Sequence, residues 1–477
     1  MSAFDPADFE VLYPGVLTER EKEPVAKFLA ANRALRERGP VDVEALVSGA
    51  LPSDTPGIGP VLPVTEAMVR YNNQKYDPDN PLLNDAAYAR SLGYQDILAM
   101  PCFGAHDDTF MAPYPPEARD TLLVSQLNHS VTNYRPVYPG DTLYLVIDGR
   151  EVIDRTPTEG SAYRHLAIHS TGSVYNQRGE KVNDTVWRVM ESVKIYREGR
   201  RPARMGFAET WEAPAWTSRP AHYYTDQDWE FIRDLWAKER RRGPVPLYWE
   251  EVQVGDEPTW TADGPILESL APTAPYGMGA GGSRTLRREI MDPALFKTLV
   301  RDEKTGIYLT ARREDYVPPV PDGVKPFYMI DPEGTHGAVD TRDIHKQGDD
   351  RAVLINFLGR DLAIRHLNNW MGDYGWLHNI RWGIMPPPAL AALGKVVPAD
   401  PEAEYFLGKV PYMDGKQVLA HGLTGDLAIV KSYVYDKYVR DGEFMVDLAW
   451  WIETIEGDIW LAGGATVKLP SQRLGLG

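Results

Sequence analysis

Apolar and polar positions alternate in two separate stretches of the chain, and the two follow the same order. In the first, Thr142-Leu-Tyr-Leu-Val-Ile, Tyr163-Arg-His-Leu-Ala-Ile and Thr185-Val-Trp-Arg-Val-Met read as extended segments, with a turn at Asn176-Gln-Arg-Gly179. In the second, Gly425-Asp-Leu-Ala-Ile-Val-Lys-Ser-Tyr-Val is followed by Met445-Val-Asp-Leu-Ala-Trp-Trp-Ile, a turn at Glu456-Gly-Asp458, and Ala465-Thr-Val-Lys-Leu-Pro470. Gly140-Asp141 and Gly179-Glu180 hold the places that Gly425-Asp426 and Gly457-Asp458 hold later. The pattern predicts a diverged duplication of successive antiparallel strands. Each set follows one helix-compatible segment, at about 101–112 and about 354–371; in the second, Leu354, Leu358, Leu362, Leu367 and Trp370 fall at the spacing of a buried helix.

Around these copies the spacing predicts a helical leader over residues 1–55, where Thr18-Glu-Arg-Glu opens a capping-box pattern and Val25, Phe28, Leu29 and Leu35 recur. The expected division is a first copy at 56–200, a polar linker at 201–245 and a second copy at 246–477. Two Pro/Gly-rich insertions, at about 270–325 and 386–415, are too long for simple turns and are expected to shape a substrate site or a dimer contact.

Composition narrows the function classes. At 477 residues, with 43% apolar and 25% charged positions, the chain has room for more than one core. No apolar run approaches the ~20 residues of a membrane span. The N-terminus lacks the basic and apolar regions of a secretion signal, so a cytoplasmic, soluble protein is expected. The single cysteine, Cys102, excludes an intramolecular disulfide and a CxxC motif. A net charge of -17 argues against nucleic acid as a partner, and the one basic run, Lys238-Glu-Arg-Arg-Arg242, is expected to be a solvated helix end.

Tyr76-Asp-Pro-Asp-Asn-Pro-Leu-Leu-Asn-Asp85, with Ala89, Gly93-Tyr94 and Ile97 beyond it, resembles the signature of (R)-specific enoyl-CoA hydratases, in which Asp-x-Asn-Pro-x-His leads to a small helix. Arg135-Pro-Val-Tyr-Pro-Gly-Asp141 and Asn176-Gln-Arg-Gly-Glu180 look like the same family. Trp249-Glu-Glu-Val-Gln-Val-Gly-Asp256, Asn369-Trp-Met-Gly-Asp373 and Ala465-Thr-Val-Lys-Leu-Pro-Ser471 resemble the C-terminal halves of double-hotdog MaoC-like dehydratases. The resemblance covers most of residues 65–471. It implies an α+β double hotdog, with two antiparallel sheets each wrapped around a long central helix. It also implies an enzyme that adds or removes water across the 2,3 bond of an acyl thioester, using one Asp and one His, with CoA as part of the substrate and no separate cofactor.

Such a reaction needs a base for water, an acid for Cα, and donors for the thioester oxygen. In the first copy, alignment on Asn80-Pro81 puts Pro78 and Leu83 where the family's Asp and His belong, and neither transfers a proton. Asp77 and Asp79 flank the position but read as turn residues, so this copy is expected to shape the tunnel. In the second copy, Asp331-Pro-Glu-Gly-Thr-His336 restores an Asp five residues before a His. The expected water-handling pair is therefore Asp331 and His336, with the backbone N–H at Gly359 near a helix start for the oxyanion; turn chemistry and close helix packing are the competing readings of these residues.

Several rivals stay open. On a helix, Cys102 and His106 share a face, and His106 with Asp107, or Asp79, is the alternative acid/base set. His336, Asp340, Asp343 and His345 match no compact metal motif, so no metal is expected. Trp370, Trp376, Trp382, Trp450, Trp451 and Trp460 crowd the second copy and favour a bulky acyl group. A non-catalytic acyl-CoA-binding scaffold and a hotdog thioesterase are the other functions carried. The acyl group, the direction of reaction and the choice between CoA and a carrier-protein thioester are open. A homodimer is expected.

Overall fold

A computed structural model describes residues 19–106, 111, 124–154, 163–194, 219–266, 287, 290–310, 354, 356–383 and 422–474. Two matched sets of five strands make up its main sheet. In the first half, β1 (Ile58–Pro63), β2 (Val124–Asn133), β3 (Thr142–Asp154), β4 (Tyr163–Asn176) and β5 (Lys181–Lys194) lie in the order β1-β3-β4-β5-β2. After β6 (Thr261–Asp263) come a small hairpin, β7 (Leu299–Arg301) with β8 (Tyr308–Thr310), and then β9 (Trp376–Trp382), β10 (Ala428–Arg440), β11 (Glu443–Glu453) and β12 (Ile459–Lys468). The second half runs β9-β12-β11-β10-β6, the same order read from the other end. The duplication expected from the strand pattern is therefore a duplication of topology.

The two expected sheets are one. β2 pairs antiparallel with β9 through His129↔Trp382, Ser130↔Arg381, Val131↔Ile380 and Thr132↔Asn379, giving ten continuous strands. Each half alone would leave an edge strand with unpaired backbone groups, and joining the two edges satisfies both. Asn379 reinforces the seam by donating from Nδ2 to Val131 O at 3.2 Å and Thr132 Oγ1 at 2.9 Å.

The helices before the second half are α1 (Glu19–Arg38), α2 (Val43–Ser48), α3 (Glu66–Tyr76), α4 (Pro81–Asn84), α5 (Ala86–Ser91), α6 (Asp226–Lys238) and α7 (Pro293–Phe296). Thr18 lies outside the described residues, but α1 buries Phe28, Leu29 and Leu35, and Arg38 anchors it by donating to Pro56 O and to Ile147 O on β3. α6, within the stretch expected as linker, starts with a Thr225/Asp228 capping box. Its Trp229, Ile232 and Trp236 are buried with Ile307 and with Leu427 and Ile429 of the second half. Part of the 270–325 insertion thus forms α7 and the β7–β8 hairpin on this core, while the 386–415 insertion lies outside the described residues.

α8 (Asn356–Met371) is the central helix of the second half, packed on β9–β12. Leu358, Leu362 and Leu367 are buried as their spacing predicts, but so are Arg360, Asp361, Arg365, His366, Asn368 and Asn369. Of the segment expected as helix at about 101–112 in the first half, residues 101–104 form turns, with Cys102 at φ 70° and Gly104 at φ 78°, and residues 107–110 and 112 lie outside the described residues. Left-handed backbone interrupts a right-handed helix, and Pro101 with Gly104 explains the break.

The basic run is also corrected. Lys238 and Arg240 are exposed, but Arg242 donates from its backbone N to Asn369 O at 2.9 Å and from Nε to Trp370 O at 2.8 Å, while Arg241 pairs with the buried Asp373. Cationic side chains here cap the C-terminal, negative end of α8.

Candidate active site

The Asn80-Pro81 landmark is a turn built from its own side chains. Asn80 caps α4 by accepting from Leu82 N at 3.1 Å, with Pro81 at the first helical position, and donates from Nδ2 to Asp77 Oδ2 at 2.9 Å. Asp77 is buried and lies 3.5 Å from Asn368 Nδ2 of α8, Asp79 is exposed, and Leu83 is core. Asn73 fastens this segment to the next, donating to Leu83 O at 2.6 Å and Leu98 O at 2.8 Å and accepting from Met100 N at 3.0 Å.

The helix face expected to bring Cys102 and His106 together is not formed. Cys102 and His106 share no helix face, because the chain between them turns. His106 is buried with Nε2 3.4 Å from Ser173 O on β4 of its own half. Burial pushes the Cys102 thiol up to about 12, so it stays protonated and unreactive at neutral pH. Asp107 lies outside the described residues, as do Asp331, His336, Asp340, Asp343 and His345.

Gly359, in the first turn of α8, packs against the sheet: a Cβ there would overlap Leu461 and press on Ile452 and Trp460. Close approach alone therefore requires the glycine. Beside it stands a group of residues that the sequence did not single out. Arg360 holds Asp361 Oδ1 through Nε at 2.8 Å and Nη2 at 2.7 Å, and its guanidinium lies 5.1 Å from the rings of both Phe357 and Trp382. Burial raises the Asp361 carboxyl to about 6, with Arg360 opposing the shift. From the first half, His129 reaches the same place, its ring 3.7 Å from Trp187, 5.5 Å from Phe357 and 5.3 Å from Trp382. Burial, then Arg360, holds its imidazole well below the usual range.

Further along α8, Arg365 forms a two-pronged ion pair with Asp263 of β6, with Nη1 2.7 Å from Oδ1. His366 lies 2.8 Å from Ser432 Oγ through Nε2 and 3.3 Å from Thr261 Oγ1 through Nδ1; burial and then Arg365 push it down to about 3.

A narrow cleft, with a cavity volume of about 50 Å³, opens between the halves. Leu83, Met100 and Cys102 of the first half and Met371 and Leu377 of the second supply apolar wall, interrupted by Asn133, Asn183 and Asn368. Asn133 is engaged, accepting from Cys102 N and donating to Leu377 O, whereas buried Asn183 Oδ1 has no partner among the described residues. At the rim, Asp373 accepts from Tyr88 Oη at 2.5 Å and pairs with Arg241, tying both halves and the connecting segment together. Of the six second-copy tryptophans only Trp376 lines this cleft; Trp382, Trp450, Trp451 and Trp460 are buried in the sheet packing. No group of three or more His, Cys, Asp or Glu among the described residues is placed to hold a metal ion.

Arg360, Asp361 and His129 escape sequence reasoning because polar residues inside a helix or strand pattern normally face water. The one available signal was that Arg360 and Asp361 fall between Leu358 and Leu362 near the start of a leucine-spaced helix.

No protein-family profile matches the chain, and no curated protein matches it. Among solved structures, a putative MaoC domain dehydratase of Chloroflexus aurantiacus is 12% identical, aligning over 87% of this chain and 94% of its own, with a TM-score of 0.42. A conserved hypothetical protein of Mycobacterium tuberculosis with a double hotdog fold is 12% identical over 91% of this chain and 99% of its own, with a TM-score of 0.37. A MaoC-like dehydratase of Phytophthora capsici is 10% identical over 90% and 100%, with a TM-score of 0.35. Across most of its length the chain is similar to solved MaoC-like dehydratases and double hotdog proteins.

Proposed function

We propose that the chain is a hydro-lyase that adds or removes water across the 2,3 bond of an acyl thioester, with CoA as part of the substrate. The observation that supports it is the cleft between the halves, whose wall is apolar and interrupted by carboxamides. A pantetheine arm is thin, uncharged and carries two amides, which suit a wall of apolar side chains interrupted by carboxamides.

In this reading Asp331 and His336 share the water. The base takes a proton as the oxygen bonds to Cβ, negative charge grows on the thioester oxygen, and the acid then protonates Cα. N–H groups at the start of α8, at Gly359, stabilise that oxygen. The homodimer is proposed alongside, to be read from the mass in solution.

The test is to incubate the purified chain with a panel of trans-2-enoyl-CoAs and follow the conjugated thioester absorbance. Its loss, abolished by Asp331→Asn and by His336→Ala in folded protein, is the expected result. Binding without turnover would make the chain a scaffold, and release of free thiol would make it a thioesterase.

A further inference from the structure

The cleft is too narrow for the arm proposed to occupy it. Its cavity of about 50 Å³ has room for roughly four waters, whereas a pantetheine arm is a long chain. Part of the wall must therefore move, and one stretch of it is weakly anchored. Residues 85–96 run between Leu83 and Ile97, both buried, and of these residues only Ala89 is buried. The stretch coheres internally: Asp85 accepts from Ala87 N and Tyr88 N at the start of α5, and the backbone N–H groups of Leu92, Gly93 and Tyr94 donate back to Ala89 O and Arg90 O. Its two ends are pinned together, because Asn73 donates to both Leu83 O and Leu98 O. Between those pins, apolar contact with the core comes from Ala86, Ala89 and Tyr94. A segment with few buried apolar contacts opens at a lower free energy than the core beneath it.

What holds this segment down is polar and crosses the cleft. Tyr88 Oη donates to Asp373 Oδ2 at 2.5 Å, and Tyr94 Oη, which belongs to a cleft-lining residue, donates to Asp373 O at 3.3 Å. Asp373 also lines the cleft, in the turn between α8 and β9, and it is fixed from the connecting segment: Arg241 pairs with its Oδ1, and its backbone N donates to Gly243 O at 3.0 Å. Two hydroxyls of the first half thus close on one acidic residue held in place by the rest of the molecule.

We propose that residues 85–96 are a lid over the cleft, latched by the Tyr88 and Tyr94 hydroxyls on Asp373, and that the lid lifts to admit a long, uncharged ligand arm. That this arm is pantetheine rests on the acyl-thioester reading given above; the latch itself does not. Lifting breaks two hydrogen bonds and uncovers little apolar surface. Elsewhere the wall is tied at the seam, where Trp376 Nε1 donates to Asn133 O at 2.9 Å and Asn133 Nδ2 to Leu377 O at 3.1 Å, and movement there would strain the β2–β9 pairing.

The experiment uses the full chain and its single cysteine. Cys102 lines the cleft and is 4% exposed, so its rate of reaction with excess dithiodipyridine reports how often the lid lifts. Tyr88→Phe should speed the reaction about fivefold and Tyr88→Phe with Tyr94→Phe about tenfold or more, as the loss of one and of two net hydrogen bonds from the closed form gives. Asp263→Ala, which breaks the ion pair with Arg365 on β6, separates lifting from global unfolding and should speed the reaction less than either tyrosine variant. Equal rates in the parent and the double variant overturn the proposal, as does an Asp263→Ala rate above both. Saturating butyryl-CoA should slow the reaction in the parent by filling the cleft. Tyrosine-dependent rates without that protection uphold the lid and contradict the acyl-thioester reading instead.

Discussion

In the second half, β9–β12 close over a 16-residue helix whose buried face includes two arginines, an aspartate and a histidine. In the first half, the segment before β2 turns at residues 101–106 and is held by the carboxamide of Asn73. The strand order is the same, and the described residues before the matching strands, a turn at 101–104 and a helix at Asn356–Met371, are not. A buried ionic helix is a poor route to stability, because charges lose hydration that only well-placed partners return. Stability alone does not explain the charged residues of α8: Arg360 lies beside Trp382 at the seam, whereas Arg365 and His366 turn to Asp263 and Thr261 of β6 and Ser432 of β10.

The comparison breaks first if the buried charges of α8 prove dispensable. Asp263→Ala leaves Arg365 buried opposite an empty place, with Glu239 Oε1 3.8 Å away as the remaining carboxylate. Urea unfolding should show a loss of about 3–5 kcal/mol. His366 supplies a pH test. Its folded value is depressed to about 3, so between the unfolded value near 6.5 and that point only the unfolded chain takes up a proton. The stability it contributes is complete above pH 6.5 and is lost as pH falls, by on the order of 3 kcal/mol at pH 4. His366→Gln should flatten that part of the stability–pH curve.

In the first half, Asn73→Ala strips partners from Leu83 O, Leu98 O and Met100 N and should cost about 2 kcal/mol by the same unfolding measurement. The smallest effect is expected at the rim. Tyr88→Phe removes one bond to Asp373, which Arg241 still holds, and should lower stability by about 1 kcal/mol or less. A loss as large as that of Asp263→Ala would mean that the clasp at the rim, rather than the helix, joins the halves.

Much of this was legible in the chain. Alternation marked the strands after Thr142 and after Gly425, and leucine spacing marked a helix that runs from Asn356 to Met371. The β2–β9 seam was not, since edge-to-edge pairing joins segments some 250 residues apart and leaves no periodic trace. Residues 101–106 misled because apolar spacing suits a buried turn as well as a helix; Pro101 and Gly104 were the signs of the turn. The Lys238–Arg242 run looked solvated because its partners are carbonyls at the end of α8 and Asp373, which no local pattern reveals. The Asn80-Pro81 landmark was easy to find, and its own hydrogen bonds account for it as a turn.

The account assigns the chemistry to the second half, and the most direct test sets one histidine of each half against the other. The initial rate of enoyl-CoA hydration is measured for His336→Ala and for His106→Gln, each shown by circular dichroism to be folded. The prediction is no turnover in the first variant and near-parental turnover in the second, since His106 is spent on packing and on the Ser173 carbonyl of its own half. An active His336→Ala beside an inactive His106→Gln would place the chemistry in the first half and contradict the account.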